Sequence, residues 1–433
     1  MPTPSLALNN LRTFAVMVVL VVHASAAYLG SSPATPFRFD DPPFRWRALP
    51  IIDSDRWYGF DIFCAHQDTY LIALLFFVSG LFVWPSLVRK GAWSFLRDRI
   101  IRIGIPFALT VGLLMPVAHY PVYRVTAVDP GMAAYWQHWF ALPLWPSGPP
   151  WFLWVLLAFD LAAAALYRFA RRSGDALGRV AGWLGRRPAT FVIVLVAASA
   201  LAYVPLALAF TPWTWFQAGP FAFQECRPLL YAVWFFAGVG LGAHGIERGP
   251  LASGGWLAPR WRSAGWAALA SFALWITFAS LASSGSPSQV VRVLEGVSFV
   301  PCCVAGCLFM LALFTRFANR HVRLFDMLGD KAYGMYLVHY LFSVWLQFLL
   351  LGLLPGLAAI AVVKATVVFL GTAMLSFGMV AALQRALTAA RVVRKQSLRA
   401  ALPTNVVVLR AVARGCGSDR AAPRHRQGRD AFS

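Results

Sequence analysis

The chain has 433 residues, of which 59% are hydrophobic and only 13% charged, with 18 Trp, 34 Phe and a net charge of +21. A soluble domain needs about a quarter of its residues charged to cover its surface, so soluble enzyme folds are excluded, and the high apolar content excludes disordered and collagen-like chains. Six Cys in this length are too sparse for a disulfide-stapled secreted module, which leaves an all-α polytopic integral membrane protein.

Ten apolar runs read as candidate spans: Leu11 to Tyr28, Tyr70 to Trp84, Ile105 to Tyr120, Trp151 to Phe169, Phe191 to Phe210, Leu229 to His244, Ala264 to Ala282, Val297 to Phe314, Ala332 to Leu353 and Leu357 to Leu383. An even count puts both termini on one side. Alternate connections on that side, with Arg12 and the tail, hold 30 of the 38 Lys and Arg but 7 of the 17 acidic residues. Basic residues next to span ends stay in the cytoplasm, so both termini are expected there. The positive balance therefore reports topology, and no soluble basic domain offers itself to nucleic acid. The spans delimit a transmembrane domain over 1–388 and a basic cytoplasmic tail over 389–433, expected to be disordered and to lie against anionic membrane lipid.

The first run carries Arg12 and, eleven residues later, His23. Eleven helical steps return to within about 20° of the starting face and rise about 16 Å, so one stripe would hold a cation at the inner surface and an imidazole past mid-membrane. Ala24-Ser25-Ala26 resembles a small-residue cleavage site, yet a single preceding basic residue and the charge alternation favour an intact first span. Next comes a long connection with Trp46, Trp57 and Tyr58, matched later by one with Trp136, Trp139 and Trp145; these aromatics form interfacial belts or roof an outward cleft where they stack on sugar rings. In the second run Ser79 and Gly80 permit close helix contact. The segment WSFLRDRIIRIGIPF reads as an amphipathic helix on the inner surface, where Arg97, Arg99 and Arg102 anchor to phospholipid or grip a phosphate-bearing ligand.

Asp160 sits in the middle of the fourth run, as a partner orienting His23, a proton site or a neutral acid bonded to a neighbour. Gly240 to Gly245 matches GxGxxG by spacing but ends an apolar helix, so Gly238 and Gly242 are read as a small-residue packing face. Cys302, Cys303 and Cys307 lack the spacing of a zinc site, and no metal is expected; Cys64 and Cys226 lie on the outer side, where they could pair. In the ninth run Tyr333, Tyr336 and Tyr340 form a stripe with His339 beside it.

Together LRTFAVMVVLVVH, FFVSGLF, FLRDRIIRIGIPF and YGMYLVHY resemble the membrane-bound acyltransferase 3 family, in order and spacing, from Leu11 to about Leu383. The WFLWVLL stretch after Pro149-Pro150 is more similar to the glucan biosynthesis protein C branch, a glucan succinyltransferase type, than to the O-antigen acetylase branch, whose Trp-Ser-x-x-x-Glu pattern is missing here. The resemblance implies transfer of an acetyl or succinyl group from cytosolic acyl-CoA, a co-substrate rather than a bound cofactor, to a hydroxyl of an extracytoplasmic glycan or glycolipid at a bacterial inner membrane. By the same likeness His23 is the catalytic imidazole and Arg12 lines its cavity. Arg99 and Arg102, with Arg97, serve the donor, while Ser79, Asp160, Tyr336 and His339 are further cavity candidates. The alternative from another class is a transporter or flippase, against which no internal repeat is found.

Overall fold

The computed structural model describes residues 6–212, 214–252, 254–353 and 360–400. They form thirteen helices: α1 (Leu6–Ser25), α2 (Tyr58–Gly80), α3 (Val83–Lys90), α4 (Ala92–Thr126), α5 (Met132–Ala141), α6 (Trp151–Phe169), α7 (Arg171–Gly185), α8 (Pro188–Ala209), α9 (Pro228–His244), α10 (Trp261–Ser283), α11 (Gln289–Phe317), α12 (Arg323–Leu349) and α13 (Ile360–Ala400). The chain divides into two units after Gly378, and in the second the last helix is described as far as Ala400. The rest of the expected tail lies outside the described residues.

Eight helical segments are long and apolar enough to cross a membrane, and the protein is an all-α polytopic membrane protein. The sixth and ninth expected spans fall on α9, which is shorter, and on α12, which buries Tyr336, His339, Ser343 and Gln347. The most apolar stretches of α11, α2 and α1 are 72%, 61% and 56% buried within the protein, whereas that of Ala258–Ser283, which contains α10, is 11% buried. The first three are therefore central, and α10 presents its apolar surface outward. Helices α2 and α9 cross at backbone contact: a Cβ at Gly80 would strike the carbonyl oxygen of Phe235, and Cβ atoms at Gly238 and Gly242 those of Phe77 and Leu81. The small-residue reading of Gly80, Gly238 and Gly242 thus describes a real seam.

One expectation is corrected. The arginine-rich segment is no separate surface helix but the first turns of α4, whose 35 residues reach about 52 Å, well beyond a bilayer core of about 30 Å. Between α6 and α8 the chain is helical as well, in α7, with Gly174, Gly178 and Gly182 turned to Trp84, Ala243 and His244.

Helix α4 holds three prolines and two π turns, Ile100–Gly104 and Thr110–Leu114, each ending just before Ile105-Pro106 or Met115-Pro116. A proline supplies no N–H and crowds the preceding turn, and a widened turn relieves that crowding. The carbonyls left without an intrahelical donor are taken by side chains from elsewhere. Tyr333 Oη donates to Arg102 O at 2.7 Å, Trp145 Nε1 to Val111 O at 2.9 Å, and Trp345 Nε1 to Val117 O at 2.9 Å. Two of the three donors stand on α12, so the weak points of α4 are where α12 is fastened to it.

At the end of the bundle away from the N-terminus the long connections make a second core. Trp46 and Trp139 are fully buried in it with Tyr28, Phe39, Tyr123, Tyr135 and Met115, and Phe39 stacks on Trp46 at 4.8 Å. These two Trp are neither belt residues nor free sugar platforms; Trp57 and Tyr58 do remain exposed. The hairpin of β1 (Trp215–Ala218) and β2 (Phe221–Gln224) joins this cover through Arg47 Nη1 to Gln217 Oε1, 2.8 Å. Cys64 and Cys226 are separate free thiols, Cys64 facing Ser25 Oγ at 3.5 Å. Burial pushes the Cys226 thiol above its ordinary value.

Candidate active site

Where α1 meets α12, two imidazoles face each other. His23 Nδ1 lies 2.8 Å from Val19 O, one turn back on its own helix, and 3.4 Å from His339 Nε2. His339 Nδ1 in turn lies 2.6 Å from Tyr336 O. A carbonyl can only accept, so both Nδ1 atoms carry protons when the rings are neutral, and the Nε2 lone pairs are free. The lone pair of His339 is directed at His23 Nδ1; that of His23 has no partner in this pair. The rings sit 5.0 Å apart at 68°, and the edge of Tyr340 packs on His23 at 5.6 Å. His339 is wholly buried, while His23 keeps part of its surface open.

The surroundings hold this pair in place. Gln347 Nε2 donates to the carbonyls of His23 and Ala24 at 2.7 and 3.2 Å, pinning the end of α1 to α12. Tyr336 Oη donates to Pro149 O at 2.5 Å, tying α12 to the entry of α6. Ser79 is half-buried, and its hydroxyl takes part in no hydrogen bond with the imidazole pair among the described residues.

The basic residues occupy the other end of α1. Helix α1 is unbroken, so Arg12 and His23 keep the single-stripe relation expected from their spacing. Arg12 is exposed and within electrostatic reach of Arg99. Arg99 Nε stands 3.3 Å from Asp160 Oδ2, a carboxylate with no exposed surface and, among the described residues, no hydrogen bond to either oxygen. Asp160 is therefore the counter-charge of Arg99 and does not orient His23, as one reading of the sequence allowed. The π turn that opens at Ile100 also separates Arg99 from Arg102: the first turns in to Asp160, whereas Arg102 and Arg97 stay exposed. The shared face expected of an ordinary helix does not form.

Three polar residues near the site went unread in the sequence, although each stands in an apolar run, the same signal that drew attention to His23. Gln347 is one. His119 is another: fully buried, with Nδ1 2.8 Å from Met115 O and Nε2 without a partner among the described residues, it packs between Tyr340, Trp46 and Trp139 at 5.6, 5.3 and 5.9 Å. The third is Lys364, whose ammonium meets Asp53 at 2.9 Å and Asp55 at 2.7 Å and so fastens α13 to the first long connection.

The geometry defines a helical membrane protein with an imidazole pair between two helices and arginines at one mouth. Residues 5–381 match the family model described as an acyltransferase domain, and the chain belongs to the acyltransferase 3 family. It is accordingly a membrane O-acyltransferase. No curated protein and no solved structure matches it.

Proposed function

We propose that the protein transfers an acetyl or succinyl group from cytosolic acyl-CoA to a hydroxyl of an extracytoplasmic glycan or glycolipid, with His23 as general base, in a bacterial inner membrane. The observation that carries this reading is His23, whose Nδ1 faces Val19 O and whose Nε2 makes no hydrogen bond among the described residues, on the same stripe as Arg12 and about 16 Å further along an unbroken helix. In the reaction the acceptor oxygen attacks the thioester carbonyl. The C–O bond forms as the C–S bond breaks, and the hydroxyl proton passes to His23 Nε2 and then to the departing CoA thiolate. General-base assistance of this kind contributes roughly 10² to 10⁴ in rate.

Arg12 and Arg99 support the donor side. Like charges held within reach of each other repel, and a polyphosphate relieves that repulsion. Arg102 and Arg97 add exposed cations to the same mouth. The WFLWVLL stretch favours a glucan acceptor and a succinyl donor. The anionic lipid around these arginines is a further partner, held by the same chemistry.

The test uses purified wild type and His23→Ala with radiolabelled succinyl-CoA and acetyl-CoA in parallel and a membrane glycan extract as acceptor. Label is expected in glycan with wild type alone, from one of the two donors. Normal transfer by a folded His23→Ala protein sinks the assignment of the base. Neither donor binding nor transfer by folded wild type would instead favour a transporter of an unmodified substrate.

A further inference from the structure

Val19 O on its own helix favours a proton on His23 Nδ1, but an imidazole held by one backbone acceptor can still rotate off it and exchange tautomers. We infer that His339 is the positioning residue of the active site: its Nε2 accepts from His23 Nδ1–H and locks His23 into the one tautomer that can act as a base. This rests on the reading of His23 as the base, and it goes beyond that reading by assigning a second histidine, on another helix, a defined role.

The chain of bonds runs in one direction. Tyr336 O accepts from His339 Nδ1–H at 2.6 Å, which leaves the only lone pair of that ring on Nε2. That lone pair is 3.4 Å from His23 Nδ1, which also donates to Val19 O at 2.8 Å. With His23 in the opposite tautomer, its Nδ1 lone pair would confront the lone pairs of both Val19 O and His339 Nε2. Two acceptors from two helices therefore disfavour it, one of them carried by a ring with no exposed surface. The ring packs perpendicular to Tyr340 at 5.6 Å, and Gln347 holds the main chain beneath it through the carbonyl of His23 at 2.7 Å. When His23 takes up the acceptor's proton at Nε2, the imidazolium keeps these same two acceptors on Nδ1–H, so charge develops without rearrangement. No carboxylate is required for this, and Asp160, engaged with Arg99, does not supply one.

The experiment compares wild type, His339→Gln and His339→Phe in three readouts: kcat, KM for acyl-CoA, and the tautomer of His23 by ¹⁵N magic-angle-spinning spectroscopy of histidine-labelled protein in lipid. The His23 signals are assigned by their loss in His23→Ala. Wild type is expected to show Nδ1 protonated and Nε2 bare. His339→Phe should lower kcat on the order of 10²-fold with donor KM unchanged and give a mixture of His23 tautomers. His339→Gln, whose amide oxygen can accept from Nδ1–H, should recover kcat to within about tenfold of wild type and restore the single tautomer. A wild-type spectrum with Nε2 protonated overturns the inference even if the Phe variant does not fold. So does a Phe variant of wild-type kcat, or a Gln variant as slow as Phe. Failure of the parent reading shows separately, as turnover by His23→Ala, while the spectra still report whether the two rings are coupled.

Discussion

Arg99 and Asp160 form an asymmetric pair, and the asymmetry decides what substitution does. The arginine side chain retains 24% of its surface, whereas the carboxylate has none. An orphaned Arg99 can turn toward water or phosphate; an orphaned Asp160 has no exit. Arg99→Gln should therefore destabilise more, by up to about 3–5 kcal/mol, than Asp160→Asn, at about 1–2 kcal/mol once the exposure of Arg99 is discounted. The double variant should recover most of the larger loss, and thermal unfolding in detergent reads all three. Arg102 is exposed, its main-chain carbonyl accepting from Tyr333. Arg102→Ala should then leave the melting temperature alone and raise the KM for acyl-CoA about tenfold; a melting shift without a KM change would make it a structural residue. The sequence marks these arginines as a group but not their division of labour. That depends on a π turn between positions 99 and 102 and on a carboxylate sixty-one residues away, neither of which helical spacing encodes.

Among the elements, the crossing of α2 and α9 and the proline-rich α4 differ in how much the sequence reveals. Small residues four apart are a direct statement about helix approach, and Gly80, Gly238 and Gly242 meet opposing carbonyl oxygens as that pattern implies. Gly80→Ala puts a Cβ on a backbone atom that cannot move aside and should abolish folded protein. Gly378→Ala, with nothing within 4 Å of the new Cβ, should be neutral or stabilising by about 1 kcal/mol. In α4 the prolines announce lost hydrogen bonds but not what replaces them. Lipid offers no donor to a bare carbonyl, so the replacement has to come from protein. Trp345→Phe removes the donor to Val117 O and should cost about 1–2 kcal/mol. Adding Pro121→Ala restores an N–H one turn away, so the double variant should be more stable than the sum of its parts; additive losses would show that the indole bond contributes nothing. The glycines of α7 carry no such statement in the sequence, because in isolation they weaken a helix and only in place do they let it lie against α9.

For the whole molecule, the apolar runs and the charge asymmetry were enough to read a helical membrane protein, while the folded cover at the end opposite the N-terminus was not legible. Its long connections have neither helical nor strand periodicity, and their order comes from contacts distant in the chain, with α13 supplying the deepest. Lys364 is 3% exposed and bonded to Asp53, itself 1% exposed, and to Asp55. Around Asp53 the chain turns back on itself: its N–H donates to Ala27 O at 3.0 Å, and Arg56 Nε donates to its carbonyl at 3.0 Å. One ammonium thus fixes the segment that covers Tyr28 and the end of α1, within five residues of His23. Lys364→Met leaves a carboxylate buried without a counter-charge, a loss of about 3–5 kcal/mol that the segment can escape by lifting away. Amide hydrogen exchange over residues 29–57 should accelerate in Lys364→Met while that of α2 and α11 stays slow. Adding Asp53→Asn and Asp55→Asn removes the unpaired charge and should restore most of the protection. If the triple variant exchanges as fast as Lys364→Met, hydrogen bonding by the ammonium rather than its charge holds the cover down, and a neutral donor at 364 would be the variant that rescues it.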